Sequence, residues 1–404
     1  MAGALEGIRV LELTQGIHGP YAGMLLADMG ADVVKIEPPQ GELNRASAVV
    51  AVSTPEGRIE MSSQFFACNR NKRVMCVNLK SEAGLEVVHR LLERTDVLIE
   101  NMRVGVLEQY GLSYEQLKDK YPRMIYASAT AYGPVGPKSH LPSLDIAAQA
   151  AGGFAAHTGT TATGPLPVGS AVADHAGALW LAWGIVTALF ARERTGKGQL
   201  VQSSLLGSQI ALQAWELTHF LLTGTEPGPA GYGHPLARGP WRFFRAADGH
   251  FAMAGVTDAQ WPALAQTIGR PDLVNDERFA TAANRLAHTD ELVALLEEAF
   301  ATQPLDELVG KLQAAGQVVA SVADYTALAN DPQVAANEYL TELQTEIGPL
   351  NVVGLPVRFS ETPGSVRTRP PDVDTHTSEV LHELGYDEET IAALYSSGSV
   401  GAAT

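Results

Sequence analysis

Apolar positions in the first half of the chain fall into short β-branched runs separated by stretches with helical spacing. IRVLEL (8–13) predicts a strand, TQGIHGP a turn, and PYAGMLLADMG (20–30) a helix with Pro20 in its first turn and Gly30 at its end. ADVVKIE (31–37) predicts the next strand. The order then repeats: RVMCVNL, a helix from Ser81 with Leu85, Val88 and Leu92 on one face, and DVLIEN (96–101). Ser113 and Gln116 make a capping-box pattern ahead of the strand RMIYASATAYG. Repeated units of this kind predict an α/β fold, a parallel sheet with helices on both faces.

One segment breaks the amphipathic pattern. From Ala176 to Ala191 all 16 residues are uncharged, and Asp174 stands at the entrance. A helix apolar all round belongs in a core or a membrane, and this run falls short of the ~20 residues of a bilayer span. It therefore predicts a core helix, followed by the strand GQLVQSSL and a helix around 206–222. Asp174 then serves either as an N-terminal cap or dipole partner, or as a carboxylate held for chemistry.

The character changes at residue 223. TGTEPGPAGYGHPLARGP (223–240) is rich in Gly and Pro and reads as a linker. WRFFRAADGHFAMAG predicts a hairpin turning at Asp248–Gly249. Helices follow at about 258–269, 289–301 and 304–315, then the strand-like pieces VVASVADYTALANDP and LNVVGLPVRFS, and a tail helix over 376–385. The predicted organisation is a large α/β domain over 1–205, a helix and linker over 206–240, a small α+β domain over 241–320, a return linker over 321–340 and a C-terminal segment over 341–404.

At 404 residues, more than one domain is expected. Hydrophobic residues make up 46% and charged ones 18%, a globular composition, and the formal charge of −17 excludes a nucleic-acid or anionic membrane partner as the expectation. Cys68 and Cys76 are the only cysteines, too few for a disulfide scaffold or thiolate metal site. MAGALEGIRV carries Glu6 and Arg9 before any apolar run, unlike a signal peptide, so a cytoplasmic protein is expected.

Familiar motifs carry little. Gly16, Gly19 and Gly23 miss the dinucleotide spacing, and RTGKG (194–198) lacks the first glycine of a phosphate loop, reading instead as a helix stop at a left-handed Gly196. No hydrolase elbow or metal spacing occurs among the eleven histidines. His18 and His175 are candidates to line a pocket, although lone histidines are more often structural. Lys72, Arg73 and Lys80 surround one strand, and Asn101 and Arg103 follow another. Strand ends are where open α/β sheets bind ligands, and separate cations suit phosphates. On spacing alone a solvated loop is the better reading.

Taken in order, GIRVLELTQGIHGPYAGMLLADMGADVVKIE, NKRVMCVNLKSEAG, LIENMRVGVLEQYG, LDIAAQAAGG, VADHAGAL, RTGKGQ, ADGHFAMAG, LANDPQV and HTSEVLHELGY resemble the family III CoA-transferases, the group of formyl-CoA transferase and carnitine CoA-transferase. The resemblance spans essentially the whole chain. It implies a Rossmann-like large domain and an open-ring subunit, with two rings interlocked in a homodimer. It also implies CoA transfer between carboxylic acids, with acyl-CoA as substrate and no permanently bound cofactor or metal. Asp174 matches the nucleophile that forms an acyl-aspartyl anhydride and then an aspartyl-CoA thioester. Lys72, Arg73, Val77, Lys80, Asn101, Met102 and Arg103 fall in the CoA-binding segments, and Ile17, His18, Leu144 and Asp145 in the substrate pocket. Pro38, Gln109, Ile17 and Pro142 depart from the pattern of formyl-CoA transferase, and Ile17, Leu144 and Met102 imply an acceptor pocket less polar than one for oxalate. The same fold hosts α-methylacyl-CoA racemases, the alternative, but Leu144 stands where their histidine base belongs. A non-catalytic acyl-CoA-binding protein would need the phosphate contacts without Asp174.

Overall fold

The computed structural model describes residues 3–54, 57–237 and 239–403. Arg238 in the predicted linker, and Met1, Ala2, Pro55, Glu56 and Thr404, lie outside the described residues. By internal contacts the chain forms two units. One takes residues up to 152, 169–212 and from 332 onward; the other takes 153–168 and 213–331.

The first unit is built on six strands: β1 (Arg9–Leu13), β2 (Asp32–Glu37), β3 (Arg73–Cys76), β4 (Val97–Glu100), β5 (Ile125–Thr130) and β6 (Leu200–Ser204). They are all parallel, in the order β6-β5-β4-β1-β2-β3. The chain winds outward from β1 to β3, then returns to β4 on the other side of β1. That reversal makes a switch point between β1 and β4, and in open sheets ligands bind beyond the carboxyl ends of the strands flanking it.

Helices α1 (His18–Asp28), α2 (Glu82–Leu92), α3 (Asp145–Ala151) and α4 (Val172–Thr195) belong to this unit. Strand residues alternate between two cores, as the pleat requires. Leu11, Leu13, Val34, Ile36 and Leu98 face α2 and the tail helices Thr377–Glu383 and Glu388–Ser396. Val10, Val33, Val97 and Ile99 face α1 and α4. The capping box at Ser113 and Gln116 forms, and Gly196 ends α4 with φ 70°.

Two expectations change. The helix around 206–222 is broken at Gln213, where the backbone leaves helical geometry, into Leu205–Leu212 and Ala214–Thr223. Helix α4 is 24 residues long and is apolar enough to cross a membrane. Only one side of it is buried, through Ala178, Leu181, Ile185, Ala188 and Leu189 on the sheet, while Leu179, Trp180, Trp183, Val186 and Phe190 are exposed. The uniform hydrophobicity thus serves two surfaces, one inside the unit and one outside it.

The second unit has its own core. Strands β7 (Trp241–Arg245), β8 (His250–Ala254) and β9 (Val319–Ser321) form an antiparallel sheet, backed by helices α5 (Trp261–Thr267), α6 (Thr289–Phe300) and α7 (Leu305–Ala314). Phe244, Phe251 and Phe300 meet at its centre, with ring centroids 5.2–5.9 Å apart.

Candidate active site

Asp174 lies in the first turn of α4, but it is not the cap. The N-cap position is Ala171, which has no side chain able to accept a hydrogen bond. The cap comes from α3: Asp145 Oδ1 accepts the backbone N–H of Ala173 (2.7 Å) and of Asp174 (3.1 Å). Gln149 donates to the other oxygen at 2.6 Å. The amides that would have stabilised an Asp174 anion are thereby occupied. The Asp174 carboxylate itself accepts no hydrogen bond among the described residues. Burial, and then the charge of Asp145, push its carboxyl up to about 7. Burial is not offset by the helix terminus, because another carboxylate holds the terminal amides.

The first turn of α1 packs against the first turn of α4. The rings of Tyr21 and His175 meet edge to face at 4.8 Å. His175 Nδ1 is 2.8 Å from the carbonyl of Ala171, so that nitrogen donates. His18, expected in the substrate pocket, is buried between the helices, with Nε2 2.8 Å from Ser203 Oγ. A Cβ on Gly177 would lie 2.7 Å from that nitrogen, so only glycine admits the ring. Burial outweighs a hydrogen bond to Gly177 and lowers the His18 pKa to about 4, which keeps it neutral. His18 spaces the helices.

Between β1 and α1 runs the turn Thr14–Ile17, at the switch point. Asn101, just past β4, clasps it from both sides: Nδ2 donates to Gln15 O (2.6 Å) and Oδ1 accepts from Gln15 N (2.9 Å). Lys35 donates to Thr14 O at 2.7 Å, and Gly16 N donates to Glu42 Oε1 at 2.9 Å. Ile17 has no capping side chain, and the amides of Ile17, His18 and Gly19 meet no acceptor among the described residues. Ile17 is half-buried beside them, and Leu144, before α3, is 77% exposed.

The expected CoA contacts divide. Lys72 is fully buried, and its three protons go to Glu12 (2.8 Å), Pro20 O (2.7 Å) and Asn69 (2.8 Å). It has none left for a phosphate. Arg73 opens β3 at the amino edge of the sheet, bound to Asp32, Glu379 and Glu383 beside a cavity of about 340 Å³. That is the opposite edge from the switch point. Val77 is buried in the core, where it bridges to Val400, and Met102 packs against the same core. Lys80 and Arg103 are exposed past the carboxyl ends of β3 and β4, with side chains that meet no partner among the described residues. Among the described residues no cluster of His, Cys, Asp and Glu has metal-binding geometry.

Sequence reading left Glu12, beneath α1, unassigned. Glu12 and Lys35 sit opposite each other in the register of β1 and β2, on a face otherwise apolar. Their nitrogen–oxygen distance is 3.1 Å, both are fully buried, and Glu42 joins Lys35 at 2.8 Å. A Cβ on Gly23 would lie 1.9 Å from Glu12 Oε2, so α1 approaches this cluster only through glycine. Two opposite charges at one register of adjacent strands were the available signal.

The doubly wound parallel sheet with a pinned turn at its switch point defines an α/β fold of the ligand-binding type. The chain matches CoA-transferase family III over residues 5–377, and it belongs to that family. It is 36% identical to a succinyl-CoA:mesaconate CoA-transferase of Haloarcula marismortui, over 96% of this chain and 98% of that protein. It is 33% identical to a succinate–glutarate CoA-transferase of Agrobacterium fabrum, over 96% and 97%. The crystal structure of a CAIB/BAIF family protein from Brucella suis superposes with a TM-score of 0.86 at 33% identity, covering 95% of this chain and all of that one.

Proposed function

We propose that this CoA-transferase moves CoA between carboxylic acids through covalent catalysis at Asp174. The observation that carries the reading is the Asp174 carboxylate: partly buried, free of hydrogen bonds among the described residues, and raised in pKa to about 7. Asp174 attacks the carbonyl carbon of the donor thioester, the C–S bond breaks, and CoA leaves as thiolate. The thiolate then attacks the aspartyl carbon of the anhydride and releases the donor acid as carboxylate. An incoming carboxylate displaces CoA from the aspartyl thioester, and the thiolate takes its acyl group, regenerating Asp174. The free amides of Ile17, His18 and Gly19 suit an oxyanion formed in these steps. Lys80 and Arg103 suit the CoA phosphates.

A racemase would need a second base across the α-carbon. Leu144, in the position where the resemblance puts a racemase's histidine, cannot take a proton, and His18 is buried between helices. The relatives' names direct the first trials to succinyl-CoA with mesaconate or glutarate.

The exposed apolar side of α4 supports a homodimer, since a contiguous apolar surface of this kind marks an interaction site. Interlocked rings predict no folded monomer in sedimentation at nanomolar protein. Two buried free cysteines fit the reducing cytoplasm. The decisive test of the chemistry is incubation with succinyl-CoA alone, a hydroxylamine or borohydride quench, and peptide mapping. The adduct belongs at Asp174, and an unmodified Asp174 in an enzyme that turns over would end the covalent reading.

A further inference from the structure

The turn Thr14–Ile17 is held from beneath by buried charge. Glu42 stands outside the sheet, after β2, yet its carboxylate reaches the Gly16 amide on one oxygen and the Lys35 ammonium on the other. Lys35 in turn holds Thr14 O, and Thr14 Oγ1 donates to Glu12 at 2.6 Å. Glu42 is itself aimed by its neighbours, for its backbone N–H donates to Glu37 (3.0 Å), whose carboxylate is gripped by Arg45 (2.7 Å). Gly16 has φ +85°, so the direction of the following amides depends on a peptide that the local chain does not fix.

We propose that Glu42 is a positioning residue for the transfer reaction: by accepting the Gly16 N–H it sets the orientation of the Thr14–Ile17 turn, and with it the amides of Ile17, His18 and Gly19 that suit the oxyanion of the transfer. The inference rests on the transferase reading. Its consequence is specific. What matters for turnover is the reach of the Glu42 oxygen, whereas what matters for the Lys35 pair is the charge.

Two substitutions separate these. Glu42→Gln keeps the length and an oxygen for Gly16 but loses the charge beside Lys35. Glu42→Asp keeps the charge but withdraws the acceptor by one methylene. Wild type is assayed first, with succinyl-CoA and glutarate, and no transfer there sinks the transferase reading itself. Given wild-type transfer, Glu42→Asp is expected to lower kcat by ~10- to 100-fold, with the KM for succinyl-CoA within about twofold, because misplacement near 1 Å costs about that much. Glu42→Gln is expected to keep kcat within about fivefold of wild type, although its Tm falls further. If Glu42→Asp is as active as Glu42→Gln or more so, or if Glu42→Gln does not fold, the carboxylate acts through Lys35 in folding alone and the proposal is overturned.

Discussion

Glu12 on β1 and Asp174 on α4 are both withdrawn from water, and the fold treats them in opposite ways. Glu12 meets Lys35, Lys72 and the hydroxyl of Thr14, and these partners overcome burial to hold its carboxyl below the usual range. Asp174 meets burial, then a second carboxylate, and no donor among the described residues, and its carboxyl rises to about 7. A buried charge held between opposite charges serves as a fixed point of the structure; one left without them is costly and becomes available for chemistry. The same helix start shows the division of labour. Asp145 takes the amides and leaves Asp174 free.

The contrast breaks most severely at Asp174. Asp174→Asn is expected to lower transfer by at least ~10³-fold while the protein folds, because an amide cannot form the anhydride. The intact mass of the variant excludes reversion by deamidation. Stability moves the other way. The native carboxyl retains a proton that the unfolded chain releases from about pH 4 upward, so the folded state loses stability as pH rises to about 7. Removing the charge is therefore expected to stabilise the protein by about 1–3 kcal/mol at pH 8, with the gain vanishing toward pH 4. Denaturation curves across that range measure both the sign and the window.

At Lys72 the expected loss is of fold rather than of catalysis. Lys72→Met leaves Glu12 with one ammonium instead of two, and should cost ~3–5 kcal/mol in urea unfolding. The KM for acyl-CoA should not change in the folded fraction. A raised KM at undiminished stability would return Lys72 to the CoA site.

Arg103→Ala sharpens the comparison from the solvent side, since this arginine's side chain has no partner among the described residues to lose. Removing one charge-assisted hydrogen bond worth about 1.5 kcal/mol should raise the KM for every acyl-CoA ~10-fold. Tm and the ranking of acceptor acids should stay as they are, and an unchanged KM would remove Arg103 from the site.

The smallest effect is expected at Asp145. Asp145→Asn keeps an oxygen for the α4 amides but removes the charge that raises the Asp174 pKa. The acid limb of kcat/KM should therefore move to lower pH, away from about 7. A limb that stays in place would assign the whole perturbation to burial.

Much of the large domain was legible in the chain because strand and helix periods are local properties. Alternation along IRVLEL and ADVVKIE separates the two faces of the sheet, and the uncharged run after Asp174 marks a helix that no charge interrupts. Ser113 with Gln116, and Gly196, likewise act on neighbours within four residues. What periodicity cannot carry is the meeting of distant segments. Lys72 and Arg73 are adjacent in sequence, yet one is spent beneath α1 and the other lies at the amino edge of the sheet. Asp145 reaches the start of α4 across 28 residues, and Glu42 reaches Gly16 across 26. The sequence by itself determined the layers, the helix starts and the carboxylate that carries the proposed chemistry. Only the tertiary structure decided which buried charges are neutralised and which carboxylate is left without a donor, because that balance depends on groups that folding alone brings within hydrogen-bond reach.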